Sequence, residues 1–292
     1  MRAYVPAYEL VSPLNLGEAL NALASEPGLW RPFAGGTDLM VLLESGKLPH
    51  KKYLNLWDVA ELRGIEVSTT QVTLGALTTY SEVQAHSVLR AEFPMLCQAA
   101  SETGGLAIQN RGTLGGNIVN ASPAADSPPA LLAYDAELEL VSASGSRWIS
   151  YSGFHTDYKK MNLRADELLR GIRLPRATST LRHYYRKVGT RKAQAISKVC
   201  FAGVGRLDAG KFADVKLALG SVAPIPLRCL KTESVINGLA PGADALKKAK
   251  SELRNEIAPI GDIRSTADYR LRVALNLLED FLDQIQMVPI SS

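Results

Sequence analysis

Ala34-Gly35-Gly36-Thr37-Asp38 and Gly112-Thr113-Leu114-Gly115-Gly116-Asn117 are the two stretches on which the reading of this chain turns. Each lies between an apolar run and a polar segment able to turn the backbone. Glycine lets a main chain approach a ligand closely and adopt positive φ, so its N–H groups can converge on an anion. One such stretch is an ordinary turn; two suggest a diphosphate held from both sides. The first follows a strand expected at Trp30–Ala34 and precedes an amphipathic helix at Leu39–Glu44, with Thr37-Asp38 as its cap. Free N–H groups and the helix dipole favour an anion in that setting. Just beyond the second come Asn117, Asn120, Ser122 and Asp126, whose polar groups can bond phosphate and polyol oxygens or accept from a hydroxyl.

Outward from these stretches, the spacing of Leu16, Ala19, Leu20, Ala22 and Leu23 predicts a helix within 11–27. Ser12 or Asn15 would cap it, and Glu26-Pro27-Gly28 would stop it. Strands are expected at Lys52–Leu56, Gln71–Gly75, Ala136–Ser142, Trp148–Tyr151 and Leu169–Leu174. Helices are expected at Thr79–Val88, Phe93–Gly104 and Pro128–Tyr134. The polar run 176–182 reads as a domain boundary. Beyond it, strands at Arg182–Val188, Ser197–Leu207 and Phe212–Val222 are broken by turns at Asp208-Ala209-Gly210 and Ala223-Pro224. Helices near Asp244–Ile257 and Ala267–Gln286 complete the pattern.

Bulk properties exclude several function classes. A length of 292 residues supports two or three domains, and a net charge of +4 without a basic run gives no support for nucleic-acid binding. Cys97, Cys200 and Cys229 lie far apart, without metal-ligand spacing, and read as free thiols in a reducing cytosol. Met1 to Pro6 lacks a signal-peptide core, and no segment reaches a membrane span of about 18 apolar residues, so a cytoplasmic protein with no membrane partner is expected. His50, His86, His155 and His183 do not pair at metal spacing and read as surface or capping residues. No serine elbow and no carboxylate pair appears. Gly205 to Gly210-Lys211 continues into Phe212 and is a hairpin turn, not a P-loop; the Gly-x-Gly-x-x-Gly fingerprint is also missing.

The paired stretches, read as Ala34-Gly35-Gly36-Thr37-Asp38-Leu39 and Gly112-Thr113-Leu114-Gly115-Gly116-Asn117-Ile118, resemble the two FAD-binding segments of the flavoprotein subunit of molybdenum hydroxylases. That family includes xanthine dehydrogenase and aerobic carbon monoxide dehydrogenase. The resemblance runs through Asp166-Glu167-Leu168-Leu169, Ile172-Arg173-Leu174-Pro175, Lys187 and Ile196-Ser197-Lys198 into the C-terminal part. It implies an α+β architecture: a two-subdomain FAD-binding fold of the molybdenum hydroxylase and vanillyl-alcohol oxidase type, plus a C-terminal α+β domain with a small antiparallel sheet. The expected divisions are 1–177, with subdomains of about 1–57 and 58–177, and 178–292.

By the same resemblance, Arg31, Pro32, Phe33, Ala34, Gly35, Gly36, Thr37, Asp38 and Leu39 would lie along the FAD diphosphate. Gly112, Thr113, Gly116 and Asn117 would complete the cradle, with Gly104, Val119 and Asn120 nearby. Asp126 would meet polar atoms of the adenosine part, and Leu168 or Leu169 would pack on the adenine or flavin side. Lys187 would approach the flavin's pyrimidine edge and raise its potential; by its bare sequence setting it reads as a surface lysine on an edge strand. No catalytic residue and no metal ligand is implied. The chain departs from the family at Ala107-Ile108-Gln109-Asn110, where members write Gln-Ile-Arg-Asn. The resemblance implies an oxidoreductase subunit relaying electrons from an iron–sulfur subunit and a molybdenum-cofactor subunit to an acceptor such as NAD. Ser122-Pro123-Ala124-Ala125-Asp126 and Gly153-Phe154-His155-Thr156 look most like the xanthine branch. The competing expectations are the FAD subunit of a carbon monoxide, nicotinate or other heterocycle dehydrogenase, a stand-alone FAD oxidase, and a non-catalytic nucleotide-binding module.

Overall fold

The structure, a computed structural model, describes residues 7–48, 50–177, 180–191 and 194–287. Met1 to Pro6 and residues 178 and 179 of the expected boundary lie outside the described residues. The chain opens with β1 (Glu9–Val11), α1 (Leu16–Ser25), β2 (Trp30–Phe33), α2 (Leu39–Glu44) and β3 (Lys52–Asn55). The three strands form a parallel sheet in the order β1-β3-β2. Asn15 caps α1 by accepting from the Glu18 N–H. The helix then buries Ala19, Leu20 and Leu23 against Trp30 and Leu54, the inward residues of the sheet. Each buried leucine contributes about 1.5–3 kcal/mol.

A second unit contains β4 (Ile65–Val67), β5 (Gln71–Gly75), α3 (Tyr80–Ala85), α4 (Ser87–Glu92), α5 (Pro94–Glu102), α6 (Leu106–Arg111), α7 (Leu114–Val119) and α8 (Ser127–Ala133). It continues through β6 (Glu137–Ser142), β7 (Gly145–Ser150), β8 (His155–Asp157), β9 (Lys160–Met161) and β10 (Leu168–Pro175). Five of these strands make a sheet ordered β4-β5-β10-β6-β7, antiparallel at every pairing, and β8-β9 is a separate hairpin. The helix expected over Thr79–Val88 starts with a Thr79/Glu82 capping box and breaks at His86, whose ψ of 121° is extended. Pro94 then opens α5 at a position where its missing N–H costs nothing.

The C-terminal sheet is antiparallel, ordered β11-β12-β13-β14: β11 (Arg182–Val188), β12 (Val199–Asp208), β13 (Lys211–Gly220) and β14 (Leu227–Arg228). Ala209 and Gly210 both take positive φ, 46° and 74°, in the two-residue turn joining β12 to β13. Three helices follow: α9 (Leu230–Ile236), α10 (Ala243–Glu256) and α11 (Ala267–Gln286). Alternation sorts this sheet's side chains. Cys200, Ala202, Val204 and Ala218 join the core built on α5 and α8, whereas Val199, Phe201, Leu217 and Leu219 pack on α9 to α11. The seam between the C-terminal sheet and α8 therefore belongs to a core shared with the second unit. Among the described residues, no helix is long and apolar enough to cross a membrane, and no group of three or more His, Cys, Asp or Glu could hold a metal ion.

Candidate functional site

The first glycine stretch leaves β2 after Phe33 and turns into α2. Gly36 takes a φ of +77°, where a Cβ would be strained and would meet the Phe33 ring at 2.9 Å. Main-chain bonding resumes with Met40 N–H donating to the Gly36 carbonyl at 2.9 Å and Leu42 N–H to that of Asp38 at 3.3 Å. The N–H groups of Gly35, Gly36, Thr37, Asp38 and Leu39 find no partner among the described residues. Expected as the helix cap, Asp38 makes no capping hydrogen bond, and α2 buries none of its residues. Consecutive free donors of this kind form a nest suited to a phosphate chain.

The second stretch is built in the opposite way. Expected as a loop, it is a short turn between two helices, with Gly115 and Gly116 inside α7. Neither these glycines nor Gly112 has positive φ. Except for that of Thr113, which finds no partner among the described residues, its N–H groups are consumed internally: Leu114 donates to Thr78 O at 2.9 Å, Gly115 to Ala76 O at 2.9 Å, and Asn117 to Thr113 O at 3.0 Å. Thr113 Oγ1 caps α7 by accepting from the Gly116 N–H at 3.1 Å. Close packing is what the glycines supply. A Cβ at Gly115 would lie 2.6 Å from Ala76 O, and one at Gly112 would lie 2.8 Å from the Tyr80 ring.

The two stretches touch, since a Cβ on Gly35 would fall 1.6 Å from the Arg111 carbonyl oxygen. Arg111 itself stacks on Trp57, its guanidinium carbon 3.6 Å from the ring centroid, with Arg63 over the same ring at 4.6 Å. Asn117 Oδ1 accepts from Ser127 Oγ at 2.6 Å. Gly104, at φ +58°, ends α5 just before α6. Val119 packs on the second unit's core, and Leu168 and Leu169 are buried in two different apolar clusters. Arg31 and Pro32, half-buried on β2, sit beside Tyr53 and Leu54 of β3.

Asp126 and Lys187 meet each other at the seam. The Lys187 side chain is buried, 2% exposed, so the surface-lysine expectation is corrected: β11 is an edge strand, but α5 and the Asp126 turn that opens α8 cover the side chain here. Its ammonium donates to Asp126 Oδ2 at 2.7 Å and to the Glu102 carbonyl at 2.8 Å. Ser197 donates to the other carboxylate oxygen, and Tyr185 OH to the Asp126 carbonyl at 3.1 Å. Burial pushes the Asp126 carboxyl above its ordinary value, opposed by the Lys187 ammonium and the Ser197 hydroxyl. Both residues are thus engaged in an internal pair, and a cation neutralised at 2.7 Å projects little field outward. His155, expected at the surface, is also buried; its Nε2 bonds Ile118 O at 2.9 Å beneath α7, and burial lowers its pKa. His183 is tied to Tyr134 OH at 3.1 Å. Sequence reading missed Ser197 and Glu102 as partners of this network, because nothing local marks a pair closed across 61 residues.

The nest of free N–H groups, pressed against a second glycine-lined backbone, fits the diphosphate of a dinucleotide such as FAD. Residues 6–177 match the family described as the FAD binding domain in molybdopterin dehydrogenase, and residues 183–285 match the CO dehydrogenase flavoprotein C-terminal domain. The chain is 31% identical over 272 residues to a xanthine dehydrogenase FAD-binding subunit of Escherichia coli O157:H7, covering 92% of this chain and 93% of that one. It is also 31% identical over 270 residues to the glyceraldehyde dehydrogenase medium chain of Sulfolobus acidocaldarius, covering 92% and 95%. In three dimensions it superposes on a chain of carbon monoxide dehydrogenase from Hydrogenophaga pseudoflava with a TM-score of 0.92 at 26% identity, covering 97% and 98% of the two. With a family match over most of its length and donors that suit the cofactor, the chain belongs to the FAD-binding subunits of the molybdenum hydroxylases, as an oxidoreductase subunit whose cofactor is FAD.

Proposed function

We propose that this chain is the FAD-binding, electron-transferring subunit of a xanthine dehydrogenase-type enzyme in the cytoplasm, working with an iron–sulfur subunit and a molybdenum-cofactor subunit and delivering electrons to NAD. The observation that carries the binding part is the unpartnered N–H run from Gly35 to Leu39, lying against Arg111. The xanthine assignment rests on the 31% identity over 92% of the chain. A second reading, an aldehyde-oxidising enzyme, has the support of the glyceraldehyde dehydrogenase relative at the same identity.

When bound, FAD supplies the chemistry that joins one-electron carriers to a two-electron acceptor. This chain's residues bind and orient it. The N–H groups of the first stretch take the diphosphate, while Asn117, whose Nδ2 makes no hydrogen bond among the described residues, and the rigid α7 face it from the other side. Gly104, Asn120 and Arg31 border the cradle. Leu168 and Leu169 support it from the core, and the Asp126–Lys187 pair holds the C-terminal sheet against it. A division of the chain near residue 177 belongs to the same reading.

Affinity purification of the tagged chain from its native host tests the proposal. The expected result is stoichiometric FAD, co-purifying iron–sulfur and molybdenum chains, and NAD reduction with xanthine. Activity on aldehydes alone would select the second reading. A chain that carries no flavin and takes up no added FAD would overturn both.

A further inference from the structure

Lys159 is a cation for which neither the glycine stretches nor the family match provides a role. It forms the tip of the β8–β9 hairpin with a φ of 57°, a left-handed backbone that a residue with a side chain rarely adopts. Its ammonium is held 2.6 Å from the Asn120 carbonyl and 3.0 Å from Asn120 Oδ1, at the C-terminal end of α7. Those two acceptors leave one N–H unused. Among the described residues no carboxylate lies within salt-bridge distance of it, whereas its neighbour Lys160 is paired with Asp157 at 3.2 Å. The charges that act on Lys159 are Asp38 and Arg31, both from the first glycine stretch and its strand, and burial lowers its pKa. The hairpin thus sets an exposed cation, with no salt-bridged carboxylate among the described residues, on the end of α7, the helix that follows the Arg111-Gly112 backbone against which Gly35 packs.

We infer that Lys159 is a diphosphate-binding residue, its ammonium closing over the anion from the side opposite the Gly35–Leu39 donors. This rests on the FAD assignment and adds to it a contact from a segment outside both glycine stretches. A simple helix-capping role accounts for the bonds to Asn120. It does not account for the remaining N–H of the ammonium or for the lack of a carboxylate partner among the described residues.

The test is titration of the full-length apoprotein with FAD, and with ADP as a probe carrying the diphosphate but no flavin. Wild type, Lys159→Met, Lys159→Arg and Lys160→Met are compared at low and high salt, alongside the melting temperature of each apoprotein. Loss of a charge-assisted contact should weaken FAD and ADP by about tenfold or more in Lys159→Met. The salt dependence should become shallower, and the apoprotein's melting temperature should hold. Lys159→Arg should recover part of the affinity, and Lys160→Met should match wild type. Wild-type affinity in Lys159→Met, or a loss that follows the melting temperature while ADP binding is unchanged, overturns the inference and leaves a capping lysine. Failure of the wild-type chain to bind FAD or ADP would instead overturn the FAD assignment beneath it.

Discussion

The two glycine stretches look alike in sequence and do opposite things in the fold. From Gly35 to Leu39 the backbone keeps its N–H groups free; from Gly112 to Asn117 it spends all but that of Thr113 on Ala76, Thr78, Ile108 and its own cap. Glycine serves the first by allowing a left-handed turn at Gly36, and the second by letting helix α7 lie directly on the backbone of Ala76. A donor surface must be solvent-facing until its ligand arrives, so the first stretch is half-buried and leads to a helix that buries nothing. A supporting surface must not move, and Leu114, Gly115 and Ile118 of the second are buried.

Substitutions can break this contrast, the largest effect coming where the stretches meet. Gly35→Ala would place a Cβ at 1.6 Å from the Arg111 carbonyl, backbone against backbone. A cost above about 5 kcal/mol is expected, read as loss of soluble folded chain; a folded, FAD-loaded Gly35→Ala protein would remove the contact between the stretches. Next comes Lys187→Ala, which leaves Asp126 buried without its cation. Denaturant titration should show a loss of about 3–5 kcal/mol, most of it restored in the Lys187→Met/Asp126→Leu double variant. An unaltered stability together with a lowered flavin potential would return Lys187 to the role of a free cation at the cofactor.

His155, under α7, gives the contrast a pH dependence. Burial holds its pKa below the ordinary value, so the fold prefers the neutral ring. The stability it contributes is complete above the unfolded value of about 6.5 and is lost as pH falls through the folded value. Melting temperatures should therefore decline as pH falls below about 6.5, and His155→Gln should flatten that decline; an unchanged slope would remove His155 as its source. The smallest effect is expected at Gly116. Its φ is not positive, and a Cβ there meets only Thr113 Oγ1 at 2.8 Å. In Gly116→Ala, helix propensity gains about what the disturbed cap loses, each close to 1 kcal/mol. A near-neutral melting temperature is expected, whereas a collapse like that of Gly35→Ala would show α7 to be strained.

Where local signals are strong, sequence and structure coincide. Strand β11 over Arg182–Val188 and helix α11 over Ala267–Gln286 agree end to end, because alternation and a long apolar stripe leave little ambiguity. Strand β1, exposed along its length, and β4, β8, β9, β14 and α9 were not legible: two or three residues, or a single helical turn or two, carry no period. The second stretch misled because glycine opposes helix formation locally. Only bonds to Ala76 and Thr78, far back in the chain, make α7 worthwhile.

By itself the sequence determined the order of strands and helices in the C-terminal part, the two glycine stretches, and through them the family and its cofactor. These are properties of neighbouring residues, written in spacing and composition. Only the tertiary structure decided which glycines free the backbone and which pack it. It also decided that Lys187 is neutralised by Asp126 across 61 residues, and that Lys159 reaches Asn120 across 39. Charge, burial and hydrogen-bond partners depend on what folds over a residue, and no local pattern encodes that.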